Sequence, residues 1–420
     1  MQQDLALKPW TAFQKFLFRF VFSYVLLFIN SFSFPHSIIP DIGKYTSPYF
    51  EIPVKWFADT FLKEGGAYTV ELISDSTGMY IHAAVLIFIS AIICLVWGLA
   101  DRKRENYQKL FYWFTVIVRY YLAMQLLTYG YSKIFKWQFY LPEPNILYTS
   151  VRDTPRDLLY WITMGSSRPY TLFMGLVEIA AACLLFFRKT FLLGALISAG
   201  ILMNVVMVNF CFDISVKLYS CFLFLLAAIL IVPALKKLFF FFIANKTEYS
   251  TAYAPVYSFK KQRLVYLLCK TFVICFMVTD ALWMYAAANN FNDDAAARPL
   301  FNGAYEVTVF IRNKDTLAPL TTDSLRWKRV FIHRRGYFIT QNMKDETQDY
   351  KLEYDTANHF LLIEEYNDKI KRFLKYELFN GNLFTLRGKR GNDSLEIRLK
   401  KIDMQNLPLL KNEFNLTIDE

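Results

Sequence analysis

Seven stretches of this chain are apolar enough and long enough to cross a bilayer: 13–34, 78–100, 110–133, 169–187, 191–212, 216–242 and 263–286. A spanning helix needs ~20 apolar residues, because ~30 Å of hydrocarbon is covered at ~1.5 Å per residue. Within hydrocarbon every backbone amide has to be satisfied by its own segment or by a closed sheet. Residues 1–290 are therefore expected to fold as an all-α multi-spanning membrane bundle. The first stretch has the basic lead and apolar run of a secretory signal. SFSFPHS follows it, however, with no small-x-small cleavage pattern, so it reads as an uncleaved span.

Lys and Arg in the short connections predict the direction of insertion. Lys8, Lys15 and Arg19 lead the first span, DRKRENYQK fills 101–109, and Arg188 and Lys189 mark the next turn on that side. Lys236, Lys237, Lys246, Lys260, Lys261 and Arg263 stand against Glu248 alone in 236–263. On the other side, 35–77 sets Lys44, Lys55 and Lys63 against Asp41, Glu51, Asp59, Glu64, Glu71 and Asp75. The expectation is an inner (plasma) membrane protein with a cytoplasmic N-terminus and an extracytoplasmic C-terminal domain. The formal charge of +11 sits mostly in residues 1–299, with 27 basic and 18 acidic side chains, against 20 and 18 in 300–420. That surplus suits anionic headgroups, so the lipid bilayer is the expected partner. No basic face stands on a soluble surface, which argues against a nucleic-acid partner.

After the last span, AAANNFNDDAAAR (286–298) is a polar linker, and the period of the sequence then changes. Tyr305, Val307, Val309 and Ile311 alternate with Glu306, Thr308, Phe310 and Arg312 as in a half-buried strand. RWKRVFIH, GYFITQN, DYKLEY, HFLLIEE, KRFLKYEL, LFTLRGK and SLEIRLKKI follow. Arg335-Gly336, Asp355–Asn358, Asn380-Gly381-Asn382 and Gly391-Asn392-Asp393 separate several of them as turns. Residues 300–420 are thus expected to form a C-terminal antiparallel β domain, a barrel or a sandwich of about eight strands. Its interior would be either filled by side chains or open to a small ligand. The six cysteines all lie in or beside spans and read as packing residues, with a Cys211–Cys221 disulfide as the alternative. NxS/T matches at Asn245, Asn392 and Asn415 occur at the chance rate.

Ionisable groups at bilayer depth are costly unless they pair or face water, which makes them the functional candidates. Arg119 lies mid-span and Lys133 ends the same helix, fourteen residues on and roughly on one face. Glu178 lies within the fourth span, and Asn204, Asn209, Asp213 and Lys217 form a ladder across the fifth and sixth. Each has a structural reading: an Arg119–Glu178 ion pair, an Asp213–Lys217 pair, and Arg19 and Lys270 snorkelling to the surface. The case for a binding site is collective, since three consecutive helices would bring these residues together. Lys270 and Asp280 are too far apart along the last span to pair. The 134–168 connection is long and rich in aromatics and Pro. It reads as an interfacial cap over a pocket or as a plain amphipathic connector.

YGYSKIF, and then GLVEIAAACLLFFRKTFLLGALISAGILMNVVMVNF, resemble the DoxX-like membrane family. Gly130 with Lys133, Glu178, the Arg188–Thr190 turn and Gly194–Val208 carry the resemblance, over a core of about 110–235. With its flanking helices and tail, the chain is similar to longer Bacteroidetes-type members. The resemblance implies a membrane subunit in a redox process, as in thiosulfate:quinone oxidoreductase, working with a diffusible quinone or a partner redox subunit. The sequence shows no cofactor of its own: it holds no haem-type His pair and no iron–sulfur Cys cluster. It also lacks a Walker loop, dinucleotide fingerprint, H-E-x-x-H, G-x-S-x-G and paired broken helices. Two functions stand. One is a membrane subunit handling a small or lipidic substrate, with Arg119 and Glu178 as its central pair and Lys133, Asn209 and Asp213 at the outer mouth. The other is a non-catalytic envelope protein that anchors the β domain to bind a partner or lipid. A small-solute transporter ranks below both, and whether the chain is an enzyme is left open.

Overall fold

The computed structural model describes residues 9–31, 38, 42–62, 74–246, 259–365, 370–379 and 383–411. The end of the first predicted span (32–34), the Asn380-Gly381-Asn382 turn and Asn415 lie outside the described residues, as do Lys8, Asp41, Lys63, Glu64, Glu71 and Glu248. Eleven α-helices stand among the described residues: α1 (Ala12–Asn30), α2 (Ile42–Phe57), α3 (Thr77–Ala100), α4 (Gln108–Ile134), α5 (Pro144–Leu147), α6 (Arg156–Ser166), α7 (Arg168–Leu185), α8 (Phe191–Cys211), α9 (Lys217–Ile231), α10 (Leu235–Phe242) and α11 (Lys260–Ala287). Seven helical segments are long and apolar enough to span a membrane: α1, α3, α4, α7, α8, α11 and the continuous Lys217–Phe242 run through α9 and α10. This is a membrane protein with a helical bundle and a C-terminal β domain. All six cysteines are free, so Cys211 and Cys221 are unbonded.

The chain divides into two compact units, 1–138 with 172–291, and 139–171 with 292–420. In the helical unit, the buried core runs through Phe18, Phe28, Leu122, Leu126, Ala181, Leu202, Phe222 and Leu226. Phe28 and Phe222 stack at 3.8 Å. Arg19 is buried, its Nε and Nη2 donating to the Tyr107 hydroxyl in the 101–107 connection at 3.0 and 2.8 Å. Helix α2 is absent from the sequence expectation because Pro48 and Pro53 break its pattern. Its Val54 packs inward with Ala58 just beyond its end, while Tyr45, Tyr49, Ile52 and Trp56 form an exposed stripe at near-helical spacing. That is the composition of a helix lying in a membrane interface.

The second unit holds β1 (Gly303–Arg312), β2 (Asp315–Thr316), β3 (Trp327–Ile332), β4 (Tyr337–Asn342), β5 (Thr347–Asp355), β6 (Phe360–Glu365), β7 (Lys371–Phe379), β8 (Leu383–Arg390) and β9 (Asp393–Lys401). β1 pairs antiparallel with β2, β3 and β9, and from β3 to β9 each strand pairs antiparallel with the next. Eight strands therefore close an up-and-down barrel, with the two-residue β2 paired antiparallel to the end of β1. Between Val307 and Val309 the register shifts by a bulge. One extra residue inverts the alternation, so Phe310 points in where the sequence pattern predicts Val309 and Ile311. Val330, Phe338, Leu361, Leu386 and Ile397 fill most of the interior.

The 139–171 connector belongs to this β unit. Tyr148 stacks on Phe331 at 5.9 Å on the outer barrel face, and the Arg329 guanidinium lies 4.8 Å from the Tyr148 ring. Arg334, in the β3–β4 turn, pairs with Glu143 and Asp293 and donates to the Leu141 carbonyl at 3.2 Å. Asp294 accepts from the Leu141 amide at 2.7 Å. The connector is therefore clamped to the barrel by a charge network, which the reading of it as a cap or a plain amphipathic connector did not include.

Candidate functional site

The strongest constellation lies where α4 meets α7. Gly130 and Gly175 face each other so closely that a Cβ on either would come within 2.9 and 2.6 Å of the other's carbonyl oxygen. The neighbouring contacts, Gly130 with Ile179 and Gly175 with Ile134, run in opposite chain directions, so the helices are antiparallel. One turn beyond each glycine stands a charge: Lys133 on α4 and Glu178 on α7. Helical Cα–Cβ bonds tilt toward the N-terminus, so on antiparallel helices these two side chains lean back toward the crossing and meet. Lys133 Nζ donates to both Glu178 oxygens at 2.9 Å, and the side chains are 5% and 3% exposed.

This replaces the Arg119–Glu178 pair expected from sequence. Fourteen residues of α4 separate Arg119 from Lys133, about 21 Å of helix axis. Arg119 instead donates through Nε and Nη2 to the carbonyl of Leu185 at 3.0 and 2.7 Å, and lies 4.8 Å from the Phe191 ring. Leu185 ends α7, so the guanidinium caps a carbonyl that the helix leaves unsatisfied, at the negative end of its dipole. Arg119 thus holds the α7–α8 turn.

Asn209, Asp213 and Lys217 gather at the α8–α9 turn. Asn209 is buried and its amide donates to the Val216 carbonyl at 3.4 Å. Asp213 has φ 56° and accepts from Lys217 Nζ at 2.8 Å. Asp75, which the sequence reading counted only as an acidic loop charge, accepts from the backbone amides of Lys217 and Leu218 at 2.7 and 3.0 Å. It thereby caps the N-terminus of α9 from across the unit. This group fastens a turn. Asn204 is exposed on α8 and does not join the ladder.

Sequence reasoning missed the residues that extend the Lys133–Glu178 pair. Tyr121, Gln125, Tyr129 and Lys133 recur every four residues, which lays one polar stripe along α4. Lys133 Nζ lies 5.5 Å from the Tyr129 ring, and the Tyr121 and Tyr219 hydroxyls are 3.2 Å apart. Asp280 on α11 and Lys136 just past α4 are buried as well, and Asp280 accepts from the Ile38 amide. Among the described residues, no three His, Cys, Asp or Glu side chains gather as a metal-binding group.

The site comprises a sealed lysine–carboxylate pair, a tyrosine–glutamine stripe and two polar turns. No family model matches the chain, and no solved structure does. The chain is 36% identical over 113 residues to the uncharacterized protein YwoB of Bacillus subtilis (strain 168), a stretch covering 27% of this chain and 71% of that protein. At that identity, over more than two thirds of the relative, the chain belongs to the family of YwoB.

Proposed function

We propose that the helical unit is a DoxX-like membrane subunit that takes a quinone-class substrate beside Lys133 and Glu178. The observation that carries this reading is the Lys133–Glu178 pair, buried at the closest approach of two spans and joined to the α4 polar stripe. A lipid-soluble substrate reaches a bundle from within the bilayer. Interconversion of quinone and quinol moves protons to and from ring oxygens, and an ammonium beside a carboxylate offers both a donor and an acceptor. Electrons would come from a partner subunit. Basic connections support an N-terminus in the cytoplasm of a plasma-membrane protein, with the β unit outside. Cysteine labelling of Lys103 and Lys351 positions from either side of intact cells tests that orientation.

A second reading, the non-catalytic anchor, draws support from the sealing of the same pair. The two are separated by the double substitution Lys133→Met with Glu178→Gln, which removes both charges and leaves neither buried alone. If the purified wild type carries a stoichiometric quinone by native mass spectrometry and the folded double variant has lost it, the substrate reading stands. An empty wild type with a double variant that retains function supports the anchor. Deleting 300–420 is a poor discriminator, because it also strips Arg334 from the connector it holds.

A further inference from the structure

The barrel interior is filled along most of its length, but one end is not. A cavity of about 270 Å³ opens there, lined by Phe310, Trp327, Leu325, Leu395, Arg312, Arg390 and Asp393. Strand alternation explains why charges line it. On β8, Phe384 and Leu386 point inward, and the same parity carries Arg390 to the rim; on β9, Leu395 and Ile397 carry Asp393 there. On β1 it is the bulge that does so. By inverting the alternation it turns Phe310 inward and brings Arg312 to the mouth.

The three charges are unequal. Both Asp393 oxygens are occupied: Arg312 donates through Nε and Nη2 at 2.9 and 2.5 Å, and the Asn313 amide donates at 2.5 Å. Arg390 makes no side-chain hydrogen bond or ion pair among the described residues. The rim, with two guanidinium groups to one carboxylate, is therefore net positive, and Arg390 keeps its hydrogen-bond donors unused above a floor of Phe310 and Trp327, whose rings lie 5.8 Å apart. We infer that this end of the barrel binds a small oxyanion, a carboxylate or phosphate monoester, carried on an aromatic or short apolar body. The fork of Arg390 matches the oxyanion bidentately, and the aromatic floor takes the body. The volume lies just under the ~300–1,000 Å³ of sites for larger ligands, which limits the body to about one ring.

The test uses the full chain in lipid nanodiscs, titrated calorimetrically with benzoate and phenyl phosphate. Benzyl alcohol serves as the neutral control and inorganic phosphate as the head alone. Wild type should bind both aromatic anions, each at least tenfold tighter than either control. Arg390→Gln should weaken benzoate tenfold or more without moving the unfolding midpoint of the barrel. Arg390→Lys, which keeps the charge but loses the fork, should fall between and serves if the glutamine variant is unstable. Lys389→Gln removes the same charge one residue away on the outer face and should change nothing. Three outcomes would overturn the inference: a wild type that binds neither anion, benzyl alcohol binding as tightly as benzoate, or equal losses in Lys389→Gln and Arg390→Gln.

Discussion

The helical unit and the β unit obey one hydrophobic rule in opposite senses. In the barrel, Leu361, Leu386 and Ile397 are completely buried while Lys351, Glu353 and Arg387 stand outside. In the bundle, Phe88, Leu95 and Leu99 are 68%, 62% and 62% exposed, and Lys133 and Glu178 are inside. The surrounding medium makes the difference. Water draws the barrel's charges out, whereas hydrocarbon takes the bundle's leucines at no cost and drives its ionisable groups to find one another. The Lys133–Glu178 pair is thus a core element of the bundle, whereas Lys351–Glu353 stays on the barrel surface.

The largest expected effect breaks that core element. Lys133→Met strands the Glu178 carboxylate among apolar side chains, which costs about 3–5 kcal/mol where a buried pair loses one member. Adding Glu178→Gln should recover most of the loss, because an unpaired buried amide costs far less than an unpaired buried charge. Thermal unfolding of the detergent-solubilised variants measures both, and a double variant as unstable as the single would refute the account. Next comes a matched truncation. Leu361→Ala in the barrel opens a cavity worth about 2–5 kcal/mol, while Leu95→Ala on the exposed face of α3 should change stability by no more than about 0.5 kcal/mol. Equal effects would mean that Leu95 is covered by protein. Glycines sharpen the contrast inside the bundle. A Cβ at Gly175 would stand 2.6 Å from the Gly130 carbonyl oxygen, so Gly175→Ala should splay α4 from α7 at a cost of about 1–3 kcal/mol. Gly200 on α8 has open space, and Gly200→Ala should be neutral or gain up to about 1 kcal/mol from helix propensity.

What could be read in the sequence follows the same division. Seven apolar runs and eight alternating runs correspond to the seven spans and the eight closing strands, because each pattern is local and periodic. Pairing across helices is not local. Periodicity put Arg119 and Lys133 on one face of α4, but only the antiparallel register at Gly130 and Gly175 decides which of them meets Glu178. The bulge at Val307–Val309 was hidden for a related reason: Val309 and Ile311 are as apolar as Phe310, so composition fits either register. The connector is the extreme case. Its Glu143 finds Arg334 across 191 residues of chain, and no spacing rule reaches that far.

The smallest effect tests the charge network of the β unit. His333 opens the β3–β4 turn, where its Nδ1 accepts from the Arg335 amide at 3.0 Å and its Nε2 lies 3.7 Å from Glu143. Burial lowers its pKa below the ordinary value near 6.5. Arg334 and Arg335 add to the depression, and the pull of Glu143, already paired with Arg334, does not offset it. As pH falls through 6.5 the unfolded chain takes up a proton that the folded barrel refuses, so stability is lost on acidification and is flat above about pH 7.5. The slope for one group is at most about 1.4 kcal/mol per pH unit. Burial raises the pKa of neighbouring Asp349, which contributes in the opposite direction at pH above its ordinary value of 3.8. Urea midpoints of the far-UV β-sheet signal at pH 7.5 and 6.0 isolate this unit, because spanning helices resist urea. The midpoint should fall at pH 6.0 in the wild type and hold steady in His333→Gln; a variant as pH-sensitive as the wild type would place the titration elsewhere in the barrel.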